Sequence, residues 1–218
     1  TTQTNGPDRA LEIDGVSLNK LDKAIYVAGM QGGSIVTVAS LNVSNSAITN
    51  SNHGVFVEGR CFQACIEGNQ IEQNYVASVW GAFDGATRII NNIIEGAQPH
   101  GIVFTVPTDQ WGSQNQAIIE SHYFEGLTEN CIQIEARNGS AYWLRGNNLY
   151  QPQQTKDYCL IKKGSRTNIY NDDKERITLE DGVTLNLNSE LTKNGNYSLY
   201  FRPTMSAFSN SSFVHRFG

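Results

Sequence analysis

The chain has 218 residues, with 16 lysines and arginines against 21 aspartates and glutamates, which gives a formal charge of −5. This length is sufficient for one domain with a hydrophobic core, and a charged fraction of 17% is too low for a disordered tail or a coiled coil. The acidic balance excludes nucleic acid as the main partner, and the longest apolar runs are too short for a transmembrane helix.

A short motif recurs along the first three quarters of the chain. It consists of an apolar residue, two further residues, an Asn-like residue, one more residue and a second apolar residue, as in Ile66–Ile71 and Ile89–Ile94. A second short apolar segment follows each copy. Successive copies begin about 23 to 30 residues apart, at Ile13, Val43, Ile66, Ile89, Ile119 and Leu144.

This repeat predicts short strands separated by polar corners. Helical repeats need longer runs at helical period, and propeller blades need about 40 residues each. Short strands at this spacing indicate coils that stack in parallel and bury together what none can bury alone. We therefore predict an all-β fold, a parallel β-helix solenoid of about six coils, and the crossover rule makes it right-handed.

The Asn-like position of the motif predicts a ladder of side chains at one corner of the coils. Asn tolerates a left-handed corner backbone, and stacked Asn side chains can hydrogen-bond along a column. His122 stands in this column, and we interpret it as a substituted ladder member rather than a catalyst. The predicted column is Ser46, Asn69, Asn92, His122 and Asn147.

With this repeat, the sequence resembles the right-handed, pectate-lyase-like β-helix family, and within it the bacteriophage tailspikes and capsule depolymerases. The resemblance covers roughly residues 10–168 and includes no signature motif. It implies a virion-tail or extracellular protein that acts on a bacterial capsule or lipopolysaccharide glycan. It also implies a homotrimer, and we expect no cofactor and no membrane contact. The chain begins at Thr1 without a methionine, and we expect it to be a piece of a longer protein.

The C-terminal segment differs in pattern from the repeat. We assign residues 1–168 to the β-helix and residues 169–218 to a β-rich C-terminal cap or oligomerisation segment. Alternating residues on both sides of Asp181-Gly182 predict a hairpin. Such a segment covers the open end of the coils. Tailspike-like proteins use it for trimer formation, but the sequence equally allows a monomeric cap.

Two coils carry insertions at the same corner, at residues 28–34 and roughly 105–114. Insertions on one side of a repeat protein commonly build its binding surface, although neutral surface loops are the alternative. The second insertion contains Trp111 and Asp109. We predict that Trp111 and Asp109 contact substrate.

Three glutamates fall in register one residue after the second apolar position of the motif: Glu72, Glu95 and Glu125. Because strand side chains alternate, they point outward on neighbouring strands about 4.8 Å apart. Glycosidic hydrolysis needs two carboxyl groups about 5 to 5.5 Å apart for retention or about 6.5 to 9.5 Å apart for inversion. Close like charges also raise the pKa of one member, as a general acid requires. We predict that these glutamates are catalytic.

Three alternatives remain open for this column. The glutamates can splay into water, with Arg88 or Arg60 nearby to relieve their repulsion, or they can bind calcium as in a lyase. A lyase also needs a basic residue, for which Arg88 and Arg137 are candidates, and we predict Arg88 at the substrate. The third alternative is a non-catalytic receptor-binding or structural spike segment.

An aromatic position on a second face is a further candidate for sugar binding. Trp80 is predicted to point outward beside Phe56 and Val103, with Asp84 in the following turn. An exposed indole packs well against a sugar ring, but an aromatic stripe is equally typical of a subunit interface. The four cysteines have no zinc-site spacing, and we expect small buried thiols and no metal site.

Overall fold

The computed structural model describes residues 10–28, 30–31, 34–35, 37–96, 98–105, 115–135, 140–150, 157–162, 167–173, 177–179, 185–186 and 199–201. All regular structure in these ranges is β, and they contain no helix. The strands are β1 (Ala10–Asp14), β2 (Ser17–Asn19), β3 (Lys23–Val27), β4 (Met30–Gln31), β5 (Ser34–Ile35), β6 (Thr37–Ser44), β7 (Ala47–Thr49), β8 (His53–Glu67), β9 (Gln70–Glu72), β10 (Ala77–Ile90), β11 (Ile93–Glu95), β12 (His100–Phe104), β13 (Asn115–Glu120), β14 (Tyr123–Glu125), β15 (Asn130–Glu135), β16 (Ser140–Arg145), β17 (Asn148–Tyr150), β18 (Asp157–Lys162), β19 (Thr167–Asn171), β20 (Ile177–Leu179), β21 (Leu185–Asn186) and β22 (Leu199–Phe201).

The strands form two parallel sheets and one small antiparallel pair. A six-stranded sheet has the order β17-β14-β11-β9-β7-β2, and fourteen other strands form a second sheet. Strands β4 and β5, within the first predicted insertion, pair antiparallel. Because parallel neighbours require a crossover between them, each strand of the six-stranded sheet is preceded and followed along the chain by strands of the fourteen-stranded sheet.

The fourteen-stranded sheet is curled because each of two long strands, β8 and β10, pairs with different strands along its two halves. Strand β10 pairs with β12 through Ala77–Gly81 and with β13 through residues 85–90. Register shifts between Gly81 and Ala86 mark the bend. Strand β8 pairs along both halves of β10 in the same way. Parallel strands in curled sheets are compatible with a β-helix-like solenoid.

The register predicted from the repeat is confirmed across the described strands. Val43 pairs with Ile66, which pairs with Ile89, and the second apolar segments pair likewise. These aliphatic side chains form one hydrophobic core between the sheets. Fully buried members from successive strands include Leu41, Ile48, Ile66, Ile71, Ile89, Ile94, Ile102, Ile119 and Ile132.

The predicted corner ladder forms as a continuous chain of hydrogen bonds. Each backbone N–H donates to the side chain of the next member: Ser46 to Asn69 Oδ1 at 3.0 Å, and Asn69 to Asn92 Oδ1 at 3.0 Å. The chain continues through His122 and Asn147 at 3.1 Å each. It ends at a residue that the repeat does not predict, where the Asn147 N–H donates to Asp173 Oδ1 at 2.9 Å.

The left-handed backbone lies one residue before the ladder, not in it. Asn45, Asn91 and Ser121 have φ of 50°, 54° and 58°. The prediction that the ladder residues themselves take the left-handed conformation is therefore wrong, although their hydrogen bonding is as expected. The ladder side chains satisfy backbone groups that this bend would otherwise leave buried and unpaired.

A second, shorter ladder at another corner was not predicted. The Ser51 N–H donates to Asn74 Oδ1 at 3.0 Å, and the Asn74 N–H donates to Gln98 Oε1 at 2.7 Å. Its members lie outside the motif, and Gln98 replaces Asn. Only the spacing of 23 and 24 residues signals it in the sequence.

Parallel pairing continues beyond residue 168. Strand β19 pairs with β16, and β20 pairs in parallel with both β18 and β22. Where the structure describes these strands, Ile177–Leu179 belongs to the fourteen-stranded sheet. Its partners there are not those of the predicted hairpin around Asp181-Gly182. The division of the chain at 168 stays a prediction. The described part of the chain holds no helix that is long and apolar enough to cross a membrane.

Candidate functional site

The outer face of the six-stranded sheet carries the predicted glutamate column. Glu72 of β9 pairs with Glu95 of β11, which pairs with Glu125 of β14. The neighbouring Ile71, Ile94 and Phe124 are fully buried, so alternation turns the glutamates outward, where they are half-buried. The structure therefore brings the three carboxylates onto adjacent strands.

The two outer glutamates are held by neighbours on their own strands. Gln70 Nε2 donates to Glu72 Oε1 at 2.5 Å, and the Tyr123 hydroxyl donates to Glu125 Oε2 at 2.6 Å. No residue in the described ranges donates a hydrogen bond to the side chain of Glu95. The middle carboxylate is thus flanked by two charged neighbours whose oxygens are oriented by other groups.

This environment favours the protonated form of Glu95. Desolvation raises the pKa of Glu95, and the negative charges of Glu72 and Glu125 raise it further. A carboxyl with a raised pKa holds its proton to higher pH, which is the property of a general acid. Because the column is partly exposed, solvent screens the repulsion between its carboxylates and limits the rise in pKa.

An aromatic pair adjoins the carboxylates, and the sequence analysis did not identify it. The rings of Tyr123 and Tyr150 are stacked, with centroids 6.1 Å apart and planes at 25°. Tyr150 is 50% exposed, and it occupies the position next to Glu125 in the column. The hydrogen bond to Glu125 raises the pKa of Tyr123 to about 12. Alternation on β14 and the register with β17 were the signals that could have revealed this pair.

Arg88 does not belong to this face. It lies on β10 in the other large sheet, paired with Cys65 and Ile118, and its side chain is exposed. Burial and Glu67 raise the pKa of the Cys65 thiol, and Arg88 partly opposes this rise. Arg88 is therefore on the wrong sheet to relieve the repulsion between the carboxylates of the glutamate column.

The residues that the structure describes include no group of three or more His, Cys, Asp or Glu side chains arranged to hold a metal ion. Glu72, Glu95 and Glu125 do not form such a group. The calcium alternative thus gains no support from the described geometry. The ladder member His122 is buried and its two ring nitrogens face backbone groups, so it faces no substrate.

Trp80 lies on the outer face of the fourteen-stranded sheet. It pairs with Phe56 and Val103 in the predicted register, and its side chain is half-buried between two histidine rings. Ring centroids of His53 and His100 lie 5.7 and 6.2 Å from that of Trp80. Trp80 and the glutamate column therefore stand on different sheets.

The remaining predicted substrate contacts are not described. Asp109 and Trp111 lie outside the described residues, as does the side chain of Asp84, whose backbone belongs to β10. Comparison of the chain with known protein families, curated proteins and solved structures gives no match.

Proposed function

We propose that the protein is a right-handed parallel β-helix of about six coils that binds a bacterial surface polysaccharide and hydrolyses its glycosidic bonds. The observation that supports this proposal is the in-register column of Glu72, Glu95 and Glu125, with a raised pKa at its middle member. The parallel register at intervals of 23 to 30 residues supports the fold. The resemblance to tailspikes supports the class of substrate.

In the proposed mechanism, Glu95 is the general acid. Burial and the charges of its neighbours disfavour its ionised form, so it keeps to higher pH than an isolated glutamate the proton that a general acid gives to the leaving glycosidic oxygen. Glu125 is the second carboxylate, because the Tyr123 hydroxyl orients one of its oxygens. Neighbouring strands lie about 4.8 Å apart, a spacing close to the carboxyl separation of retaining enzymes.

The stacked pair Tyr123 and Tyr150 supplies an apolar platform beside Glu125. Sugar rings pack their C–H faces on aromatic side chains, and Tyr150 is half exposed on this surface. A glycan that crosses the strands can then rest one ring on the tyrosines while the next linkage lies over Glu125 and Glu95. The glycan then runs along the glutamate column, across the strands and not along one of them.

A reducing-end assay on purified capsules and lipopolysaccharides tests the proposal. We expect the parent to release reducing ends from one of them and Glu95→Gln to lose at least about a hundredfold of the rate. Glu12→Gln, a glutamate exchange on strand β1 of the other sheet, is the matched control and is expected to keep full activity. Unchanged activity in Glu95→Gln would contradict the assignment of the acid.

The alternative of a non-catalytic receptor-binding segment makes a different prediction in the same assay. Such a segment binds the glycan and releases no reducing ends in the parent or in either variant. A lyase is recognised by ultraviolet absorbance of an unsaturated product. The implied homotrimer and virion-tail location are parts of the tailspike proposal, and light scattering of the purified chain tests the trimer.

A further inference from the structure

The arrangement around Trp80 has the features of a second ligand site. Its ring contacts His53 on the strand to one side and His100 on the strand to the other, both edge-on. The register partner between these histidines is Ala77. The result is a three-ring surface across β8, β10 and β12 that is only half-buried.

Two polar atoms beside these rings are buried without a partner. Asn130 is 2% exposed, and its amide Nδ2 approaches His100 Nδ1 at 3.4 Å and donates to Gln133 Oε1 at 3.2 Å. Asn130 Oδ1 and His53 Nδ1 have no hydrogen-bond partner in the described part of the chain. A buried polar group without a partner destabilises the fold, and a ligand hydroxyl that pairs with it removes this cost.

The unpaired atoms indicate the chemistry of the ligand. Asn130 Oδ1 is an acceptor, so it requires a hydroxyl or amide N–H and repels a carboxylate. Burial lowers the pKa of both His53 and His100, and beside each ring one lysine and one carboxylate act in opposite directions, Lys23 with Asp22 and Lys162 with Glu129. The surroundings of the two rings therefore offer an anion no net charge. The indole supplies the flat apolar surface on which a sugar ring packs.

We infer that Trp80, His53, His100 and Asn130 form a binding site for a neutral saccharide, separate from the glutamate column. Because His53 and Asn130 lie three strands apart in one row, the ligand is an oligosaccharide: hydroxyls of different sugar residues pair with Asn130 and His53 while one ring packs on Trp80. His100, whose Nδ1 lies 3.4 Å from Asn130 Nδ2, is only partly buried, and a rotamer change of such a side chain is fast. We assign this site the binding of the glycan, and cleavage stays with the glutamate column.

The inference rests on the proposed function only for the class of ligand, and it is tested by binding alone. Maltoheptaose, cellohexaose and chitohexaose serve as neutral probes, and oligogalacturonate serves as the acidic probe. We expect one neutral probe to shift the indole N–H resonance of Trp80 in a heteronuclear spectrum of the parent, and oligogalacturonate to leave it unchanged. Trp143, which stacks on Tyr170 with centroids 5.0 Å apart, is the internal control.

Variants then assign the site. Trp80→Ala is expected to weaken binding of that probe at least about tenfold, while Trp143→Phe leaves the affinity unchanged. Thermal melting checks that each variant is folded, and the resonance shift in the parent stands without any variant. Binding of no neutral probe, or equal binding by folded Trp80→Ala, would overturn the inference. Self-association that Trp80→Ala abolishes, without saccharide binding, would overturn it in favour of a contact between copies.

Glu95→Gln separates this inference from the proposed function. We expect it to lose cleavage and to keep the probe affinity of the Trp80 site. If Glu95→Gln loses the binding as well, the probe occupies the glutamate face and the second site is wrong. If the parent never cleaves a glycan but its Trp80 resonance shifts, the proposed hydrolysis fails and the binding site remains.

Discussion

His122 Nδ1 accepts a hydrogen bond from the backbone N–H of Asn92 at 3.1 Å, in the position where the other copies place an Asn oxygen. The second ring nitrogen, Nε2, lies 2.8 Å from the carbonyl oxygen of Ile89. Because the carbonyl can only accept, Nε2 carries the proton and Nδ1 is the acceptor. The imidazole thus imitates an Asn amide, with one acceptor and one donor, only while it is neutral.

This arrangement predicts acid sensitivity of the fold. Complete burial lowers the pKa of His122 to about 4, against an ordinary value of 6.5. The unfolded chain therefore takes up a proton at higher pH than the folded chain. Stability is present above pH 6.5 and is lost as the pH falls toward 4, by about 3 kcal/mol in total. Urea unfolding at pH 7, 5.5 and 4 measures this loss.

His122→Asn isolates the contribution of the histidine. The variant restores an Asn in the ladder and removes the titrating group, so its stability is expected to fall less between pH 7 and pH 4. Carboxylates such as Asp14, whose pKa hydrogen bonds from Asn45 and Ser44 lower, titrate equally in both proteins. Parallel pH curves for the two proteins would contradict the prediction.

Asn92→Ala is expected to destabilise the fold by about 2 to 5 kcal/mol. Its Oδ1 accepts from the backbone and side chain of Asn69, and its Nδ2 donates to the carbonyl of Ile66 at 2.9 Å. Truncation leaves buried groups of both residues unpaired, at about 1 to 3 kcal/mol each. Denaturant midpoints report the change. Asn148→Ala, at an exposed position of β17, is the control, and a comparable loss there would contradict the ladder as the cause.

The sequence was sufficient to predict the all-β class, the pairing register and the ladder because all three follow from one repeat. Buried isoleucines and the Asn column recur at nearly constant spacing, and stacking converts spacing directly into contact. His122 could be assigned to the ladder by its position alone. The same reasoning placed Glu72, Glu95 and Glu125 on one face without any knowledge of side-chain conformation.

Features that do not repeat were beyond this reasoning. Asp173 ends the ladder with a carboxylate; it follows Asn147 by 26 residues, as the ladder spacing requires, but the apolar residues of the motif are missing around it, so the motif does not identify it. The Tyr123 hydroxyl reaches Glu125 through side-chain conformation, which the register does not determine. The unpaired atoms of His53 and Asn130 depend on neighbours across several strands, and sequence spacing carries no information about them.

Gly54→Ala is expected to destabilise the protein more than Gly15→Ala. A Cβ at Gly54 would lie 2.5 Å from the carbonyl oxygen of Ser78 and 2.7 Å from Ile71 Cγ2, so backbone and core must move, at about 1 to 3 kcal/mol or more. A Cβ at Gly15 meets no described atom within 4 Å, and only its φ of +65° is unfavourable, at about 1 kcal/mol. Thermal melts compare the two, and an equal loss would contradict the packing argument.

Glu72→Gln is expected to move the alkaline limb of the activity profile to lower pH. Hydrolysis requires a proton on Glu95, so the rate falls as the pH rises through the pKa of that carboxyl. Burial raises this pKa first, and the charge of Glu72 contributes next. Removing that charge lowers the pKa of Glu95, and the proton is lost earlier.

The measurement is kcat/KM against pH for the parent, Glu72→Gln and the control Glu12→Gln. Glu72 is the appropriate neighbour to change because Glu125 is the proposed second carboxylate, and its loss would remove activity at every pH. Gln70, which donates to Glu72 Oε1, can donate equally to a glutamine oxygen at this position, so local packing is preserved. If the alkaline limb stays in place in Glu72→Gln, the acid is not Glu95 or the column does not act as one electrostatic unit.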